Sequence, residues 1–244
     1  MSETSKPLSP RRVIVIAAAV AAICGPLGAI VAAYLPIPHP GTDRAVHDYI
    51  LSHPEILPEA VEKLKAQDGT KQVAQLRPQI EKAWPGAVMG NPNGKVVLVE
   101  FMDFACGYCR QSLGDVDRLI GANPDLKVVL RELPILSPES ADAAKMALAA
   151  AAQGKYGAFH KAMFAAGRPN ADTIAAAART AGLDPVAAAK IIADPATQAE
   201  IESNLTLARA LGLNGTPSWL AGDQMLGGAL GYDALAKAVA AARH

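Results

Sequence analysis

Hydrophobic and polar positions divide the 244-residue chain into stretches of different character. From Val13 to Leu35 no residue is charged, and 23 residues at about 1.5 Å each match the roughly 30 Å hydrocarbon core of a bilayer. Arg11-Arg12 precede this run and no Lys or Arg follows until Arg44, so the positive-inside bias puts residues 1–12 in the cytoplasm and the bulk of the chain across the membrane. Residues 1–12 read as a cytoplasmic tail or signal n-region. Residues 13–35 read as an uncleaved anchor or as a signal cleaved near Val31-Ala32-Ala33. Pro36 to Gly41 form a short stiff linker.

A helical arm is expected over residues 42–83. Val46, Tyr49 and Ile50 share one helical face, Ser52 and Glu55 have capping-box spacing, and Pro58 suits the first turn of a new helix. Val61 and Leu64 continue the stripe, and Val73, Leu76 and Ile80 mark a further face interrupted by Pro78. Such narrow stripes bury little surface alone. They either pack on the domain that follows or pair with copies of the same chain, and the second reading, a homo-oligomer, is preferred.

The main domain is expected over residues 84–244. Asn91-Pro92-Asn93-Gly94 is a turn, Lys95 to Phe101 a buried strand, Arg110 to Leu119 a helix and Leu126 to Leu133 a second strand. From about Ser137 to Leu211 the chain is alanine-rich with few strand signals, a helical block broken at Gly154, Gly167-Arg168-Pro169 and Asp184-Pro185. A hairpin around Gly222-Asp223 and a closing helix from Tyr232 to Arg243 complete an α/β domain. Composition agrees: 50 alanines disfavour an all-β fold, and 23 basic against 23 acidic residues leave no polycationic surface for nucleic acid.

Three cysteines cannot form a paired disulfide framework. Cys24 lies in the apolar run, away from any exported chemistry. Cys106 and Cys109 form Cys-Gly-Tyr-Cys where a strand feeds a helix. Zinc would need two further ligands, which five scattered histidines do not supply, and a c-type haem site would need His where Arg110 stands. No metal or other cofactor is called for. What remains is a reversible dithiol: Cys106 faces the unpaired N–H groups and positive end of the helix, which stabilise its thiolate, and Cys109, one turn in, resolves the mixed disulfide. A reduced pair is also a possible soft-ligand site for Cu(I).

These residues resemble the DsbA-type branch of the thioredoxin superfamily. The likeness runs from about Trp84 to Arg243 and rests on Val99 to Cys109, the helical insertion over about 137–211, and Gly215-Thr216-Pro217-Ser218-Trp219 before a strand. It implies a thioredoxin-like fold in which Pro217 is cis beside the cysteines. It also implies that Thr216 offers backbone groups to an extended substrate, and that Glu100 lies buried beneath the disulfide and relays protons to Cys109. Within that branch, Cys-Gly-Tyr-Cys and the helical arm are similar to the ScsC-type (suppressor of copper sensitivity) disulfide isomerases. Gly107 and Tyr108 stand where a strong oxidase has a histidine between its cysteines. The resemblance therefore implies a disulfide isomerase or reductase in the bacterial periplasm. Its partners would be exported cysteine-containing proteins and a membrane redox partner. The alternatives are a periplasmic oxidase and a copper(I)-binding module.

Overall fold

The structure, a computed structural model, describes residues 40–243. The membrane segment at 13–35, most of the linker at 36–41 and Cys24 lie outside them; among the described residues no helix is long and apolar enough to cross a membrane. The chain divides into two compact units, the first ending at Val61 and the second running from Glu62 to the C-terminus.

In the first unit, α1 (Pro40–Ser52) closes with the Ser52 hydroxyl donating back to the carbonyl of Asp48 and the His53 ring stacked on Tyr49. Helix α2 (Ile56–Ile80) begins in this unit and ends in the second. It runs unbroken through Pro78, where separate helical pieces and a face interrupted at Pro78 were expected. Proline removes a donor only from the turn it enters. The carbonyls of that last turn find another partner, described below.

The second unit is built on a five-stranded mixed sheet in the order β1-β3-β2-β4-β5. Its strands are β1 (Val88–Gly90), β2 (Val96–Met102), β3 (Leu126–Glu132), β4 (Ser218–Ala221) and β5 (Gln224–Gly227). β2 lies at the centre, parallel to β3 and antiparallel to β4, with Glu100 opposite Leu130 on one side and Trp219 on the other. Strand β1, antiparallel to β3, has no counterpart in the sequence reading; three residues are too short to show an alternation. Gly94 closes the turn before β2 against Asp125, where a Cβ would meet the carbonyl oxygen at 2.4 Å. Gly222, at φ +57°, supplies the left-handed residue of the β4–β5 hairpin.

Side chains alternate across this sheet, so each strand serves two cores. Val96, Leu98 and Met102 of β2, with Leu126, Val128 and Leu130 of β3, enter the larger core. There they meet α3 (Gly107–Ala122), α4 (Pro138–Ala152), α5 (Tyr156–Ala166), α6 (Ala171–Thr180) and α9 (Tyr232–Ala241). Helix α7 (Pro185–Ala193) packs along α4. Val99, Phe101, Val129 and Leu133 face the other way, onto Leu207 and Ala208 of α8 (Pro195–Ala210), its C-cap Leu211, and Val73 and Ile80 of α2. The expected helical block is thus the five helices α4–α8. Its starts follow side-chain caps at Ser137, Asn170, Asp184 and Asp194, three of them followed by proline at the first helical position.

The second half of the expected arm is therefore core of this unit, because Val73 and Ile80 are sealed against the sheet. A single side chain fastens it. Arg131, buried on the α2 side of β3, donates from Nε to the carbonyl of Ile80 (3.1 Å) and from Nη2 to the carbonyls of Gln79 and Lys82. Its Nη1 donates to Glu200 (2.9 Å) and to Asn204 (2.8 Å) on α8. The guanidinium thus satisfies orphan carbonyls at the negative end of α2 and joins that helix to α8. Burial pulls the Arg131 pKa below its ordinary value, with Glu200 opposing the shift. Replacing Arg131 by Met should remove about 3–5 kcal/mol of stability, since Glu200 and three carbonyls lose a buried partner together. Urea denaturation checks this, and a midpoint equal to wild type would contradict it.

Candidate functional site

The site forms where β2 runs out and α3 begins. Cys106 is the N-cap of α3: its backbone is extended and its sulfur accepts the N–H of Cys109 at 3.4 Å, the place a serine or aspartate oxygen usually takes. The same thiol donates to the carbonyl oxygen of Thr216 at 3.1 Å. The Thr216–Pro217 peptide bond is cis, and the Pro217 carbonyl accepts the N–H of Gly228 beyond β5. Both thiols are free and buried, with Cys109 the deeper, whereas Gly107 and Tyr108 between them are exposed.

Asp103 holds this junction in place, and the sequence reading passed over it. Its carboxylate accepts from the N–H of Ala105 (2.8 Å), Ile135 (2.8 Å) and Leu136 (2.9 Å) and from the Ser140 hydroxyl (2.7 Å), while its carbonyl accepts the N–H of Cys106 (2.9 Å). One side chain thereby joins the dithiol turn to the loop after β3 and the first turn of α4. An acid directly after a buried strand and three residues before Cys106 was the available signal.

Below the cysteines lies a set of buried polar groups. Glu100 shares a sheet face with Leu98 and Met102, and Glu132 stands on the same face of β3, one diagonal step away in the register. The Tyr156 hydroxyl donates to Glu132 Oε1 at 2.7 Å, whereas Glu132 Oε2 is buried without a partner. Burial first, then the charges of Glu132 and Cys106, push the Glu100 pKa up to about 8. Burial also pushes Glu132 up to about 8, against the Tyr156 hydrogen bond. The Cys109 thiol is raised far above its ordinary value, by burial and then by the charge of Glu100. His160, stacked on Tyr156 with both ring nitrogens unpartnered, is lowered to about 4 by burial. Glu132 was missed in the sequence, although Leu126, Val128, Leu130 and Glu132 alternate along one face and place an acid at its buried end.

This arrangement can carry out thiol–disulfide exchange. Cys106 presents its sulfur at the edge of a cleft and at the N-terminus of a helix, a position from which it can meet a substrate disulfide. Cys109 lies close enough to feel the charge of Glu100, and when it attacks it can pass its proton to the fraction of that carboxyl that is ionised. Among the described residues no group of three or more His, Cys, Asp or Glu is placed to hold a metal ion.

A dithiol at the N-cap of the helix after a central strand, facing a cis proline, defines a thioredoxin-type domain. Residues 97–240 match the DSBA-like thioredoxin domain, and residues 43–69 match the copper resistance protein ScsC N-terminal domain. The chain belongs to the DSBA-like thioredoxin family, a family of thiol–disulfide oxidoreductases. A thioredoxin-like oxidoreductase from Silicibacter pomeroyi DSS-3 superposes with a TM-score of 0.61 at 41% identity, over 64% of this chain and 91% of that one. The thiol-disulfide exchange protein alpha-DsbA2 from Wolbachia pipientis gives 0.67 at 30% identity, over 73% and 97%. A linker-deletion variant of Proteus mirabilis ScsC gives 0.70 at 26% identity, over 86% and 98%. Among curated proteins the chain matches parts of Na(+)/H(+) antiporters NhaA: 36% identity over 81 residues in Mycobacterium sp. (strain KMS), and 32% over 154 residues in Herminiimonas arsenicoxydans. It spans only 13% and 24% of those relatives.

The buried carboxyls make stability depend on pH with a definite sign. In the folded chain Glu100 and Glu132 keep a proton up to about pH 8, whereas unfolded glutamates release it near 4.5. The folded state binds more protons in that window, so stability is complete below it and falls as pH rises through it. His160 acts oppositely, withdrawing stability as pH falls from 6.5 toward 4. Wild-type reduced protein should therefore lose at least about 1.4 kcal/mol between pH 6.5 and pH 8.5, and Glu100→Gln should lose distinctly less. Urea titrations at the two pH values measure this; equal slopes for the two proteins would contradict it.

Proposed function

We propose that this protein is a thiol–disulfide oxidoreductase that acts mainly as an isomerase or reductase on exported cysteine-containing proteins. The observation that carries the reading is the buried, paired geometry of the dithiol: Cys106 capping α3 and hydrogen-bonded to Thr216 before the cis proline, with Cys109 sealed over Glu100. Cys106 attacks a substrate disulfide and Cys109 releases the mixed disulfide. The ionised fraction of Glu100 takes up the Cys109 proton and returns it, and the backbone of Thr216 and Pro217 pairs with the extended substrate. Gly107 and Tyr108 put no cation between the cysteines. The thiolate is then less stabilised than a histidine there would make it, and a strong oxidase is disfavoured.

The sequence before residue 40 supports a periplasmic location, with Arg11-Arg12 and the apolar stretch at 13–35 serving as anchor or signal. The first unit supports a homo-oligomer: Val46, Tyr49, Leu51, Leu57 and Val61 are each about half exposed or more on α1 and the start of α2. Several dithiols on one assembly raise their effective concentration around a bound misfolded chain, which serves rearrangement of several bonds better than a single encounter does. A membrane redox partner returns the pair to the dithiol state.

Leu57→Asp combined with Val61→Asp charges that apolar surface and leaves Val73 and Ile80 in their core. The wild type should show a multiple of the protomer mass by light scattering and reactivate a scrambled disulfide substrate. The double variant should be monomeric, keep simple dithiol reductase activity and lose most reactivation. A monomeric wild type, or a monomeric variant with full reactivation, would contradict the assembly-based isomerase reading; absence of any exchange by the wild type would contradict the enzyme itself.

A further inference from the structure

We propose that the cleft in front of Cys106 is an anion-selecting subsite, in which Arg110 and Arg168 favour disulfides whose cysteines are flanked by acidic side chains. The inference rests on the thiol–disulfide exchange reading and adds to it the class of substrate. The cleft encloses about 220 Å³ and is lined by Cys106, the rings of Phe104 and Phe164, Arg110 from the start of α3 and Arg168 from the α5–α6 connection. No carboxylate lines it.

Both arginines are exposed, and among the described residues neither guanidinium has an ion-pair partner. Several other arginines of this unit are engaged, whereas among the described residues Arg179 and Arg209 are without an ion pair as well but do not line the cleft. Arg77, Arg131 and Arg243 are each paired with a carboxylate, and Arg118 lies over the Tyr232 ring. Arg110 also stands near the positive end of α3, where a cation gains nothing from the helix. Its charge is directed to the cleft. Glu100, protonated at neutral pH, leaves that field uncancelled from below.

The chemistry brings a substrate's neighbouring residues to these cations. Cys106 thiolate attacks one sulfur of the substrate disulfide, a new Cys106–substrate S–S bond forms, and the other substrate sulfur leaves as thiolate and takes a proton from water. Cys109 then attacks Cys106 Sγ, losing its proton, and the second substrate thiol departs. The substrate disulfide has gained the two electrons that the Cys106–Cys109 pair gave up. While the mixed disulfide lasts, residues beside the bound cysteine lie in or at the cleft, where a carboxylate can take a forked hydrogen bond from either guanidinium.

The test compares two otherwise identical disulfide-linked peptides, one with glutamate and one with lysine beside the cysteine, reacting with the reduced full-length protein. The acidic peptide should react up to about tenfold faster, as two partly exposed ion pairs allow, and the ratio should shrink as salt is raised. Arg110→Gln with Arg168→Gln should bring the ratio close to one, whereas Arg179→Gln on α6 should leave it unchanged. Equal wild-type rates, or a preference that survives the double variant, would overturn the inference. So would a double variant that slows both peptides by the same factor, because the arginines would then act on the Cys106 thiolate and not on the substrate. Alkylation of Cys106 by iodoacetate relative to iodoacetamide reads the same field without any exchange reaction, and this ratio should also fall in the double variant. A protein that exchanges with neither peptide would refute the functional reading while the alkylation ratio still decides the subsite.

Discussion

A carboxyl group placed at the middle of a sheet, with helices closed over it, has no water in which to hold a charge. Glu100 is in that position on β2, and its charge acts on the Cys109 thiol. Its proton stays on to about pH 8, so at neutrality the group is mostly neutral and can donate a proton, while its ionised minority can accept one from Cys109. Were it ionised, its charge would oppose a second negative charge on either sulfur. Glu132 reinforces the effect from the next strand, and the Tyr156 hydroxyl, donating to one of the Glu132 oxygens, opposes the rise of Glu132's own pKa.

The same strand ends in the turn that positions Cys106. Asp103 ties that turn to two other segments, and the Cys106 sulfur takes the place of an oxygen as the cap of α3. On the opposite face of the sheet Arg131 does the comparable task for the fold, binding the end of α2 to α8. β2 and β3 therefore carry reactive groups on one side and structural fastening on the other, as a two-residue period permits.

Features with a local chemical cause were legible in the sequence. Strands β2 and β3, three of the four breaks between the insertion helices and the hairpin at Gly222 lie within a residue or two of their expected places, since apolar runs, caps and glycines act over short range; the break at Asp194-Pro195 was not expected. Cys106 and Cys109 were legible because their spacing has few other uses. The positions of Glu100, Thr216 and Pro217 came from the resemblance to a family, and their residue types alone would have fitted a solvent-facing acid and an ordinary turn. What stayed hidden depends on contacts distant along the chain. Val73 and Ile80 looked like one more arm face until the sheet covered them. Glu132, Asp103 and Arg131 are ordinary polar residues until the fold surrounds them. Arg168 meets the cleft of Cys106 only through the packing of α5.

The account depends on Glu100 remaining protonated in the folded, reduced protein, and direct titration of that carboxyl decides it. With glutamate side-chain carboxyls labelled with carbon-13, and the Glu100 resonance assigned by its loss in Glu100→Gln, the shift should move between its protonated and ionised values near pH 8. A midpoint close to 4.5, the ordinary glutamate value, would show a solvated carboxylate beneath the dithiol and contradict the account.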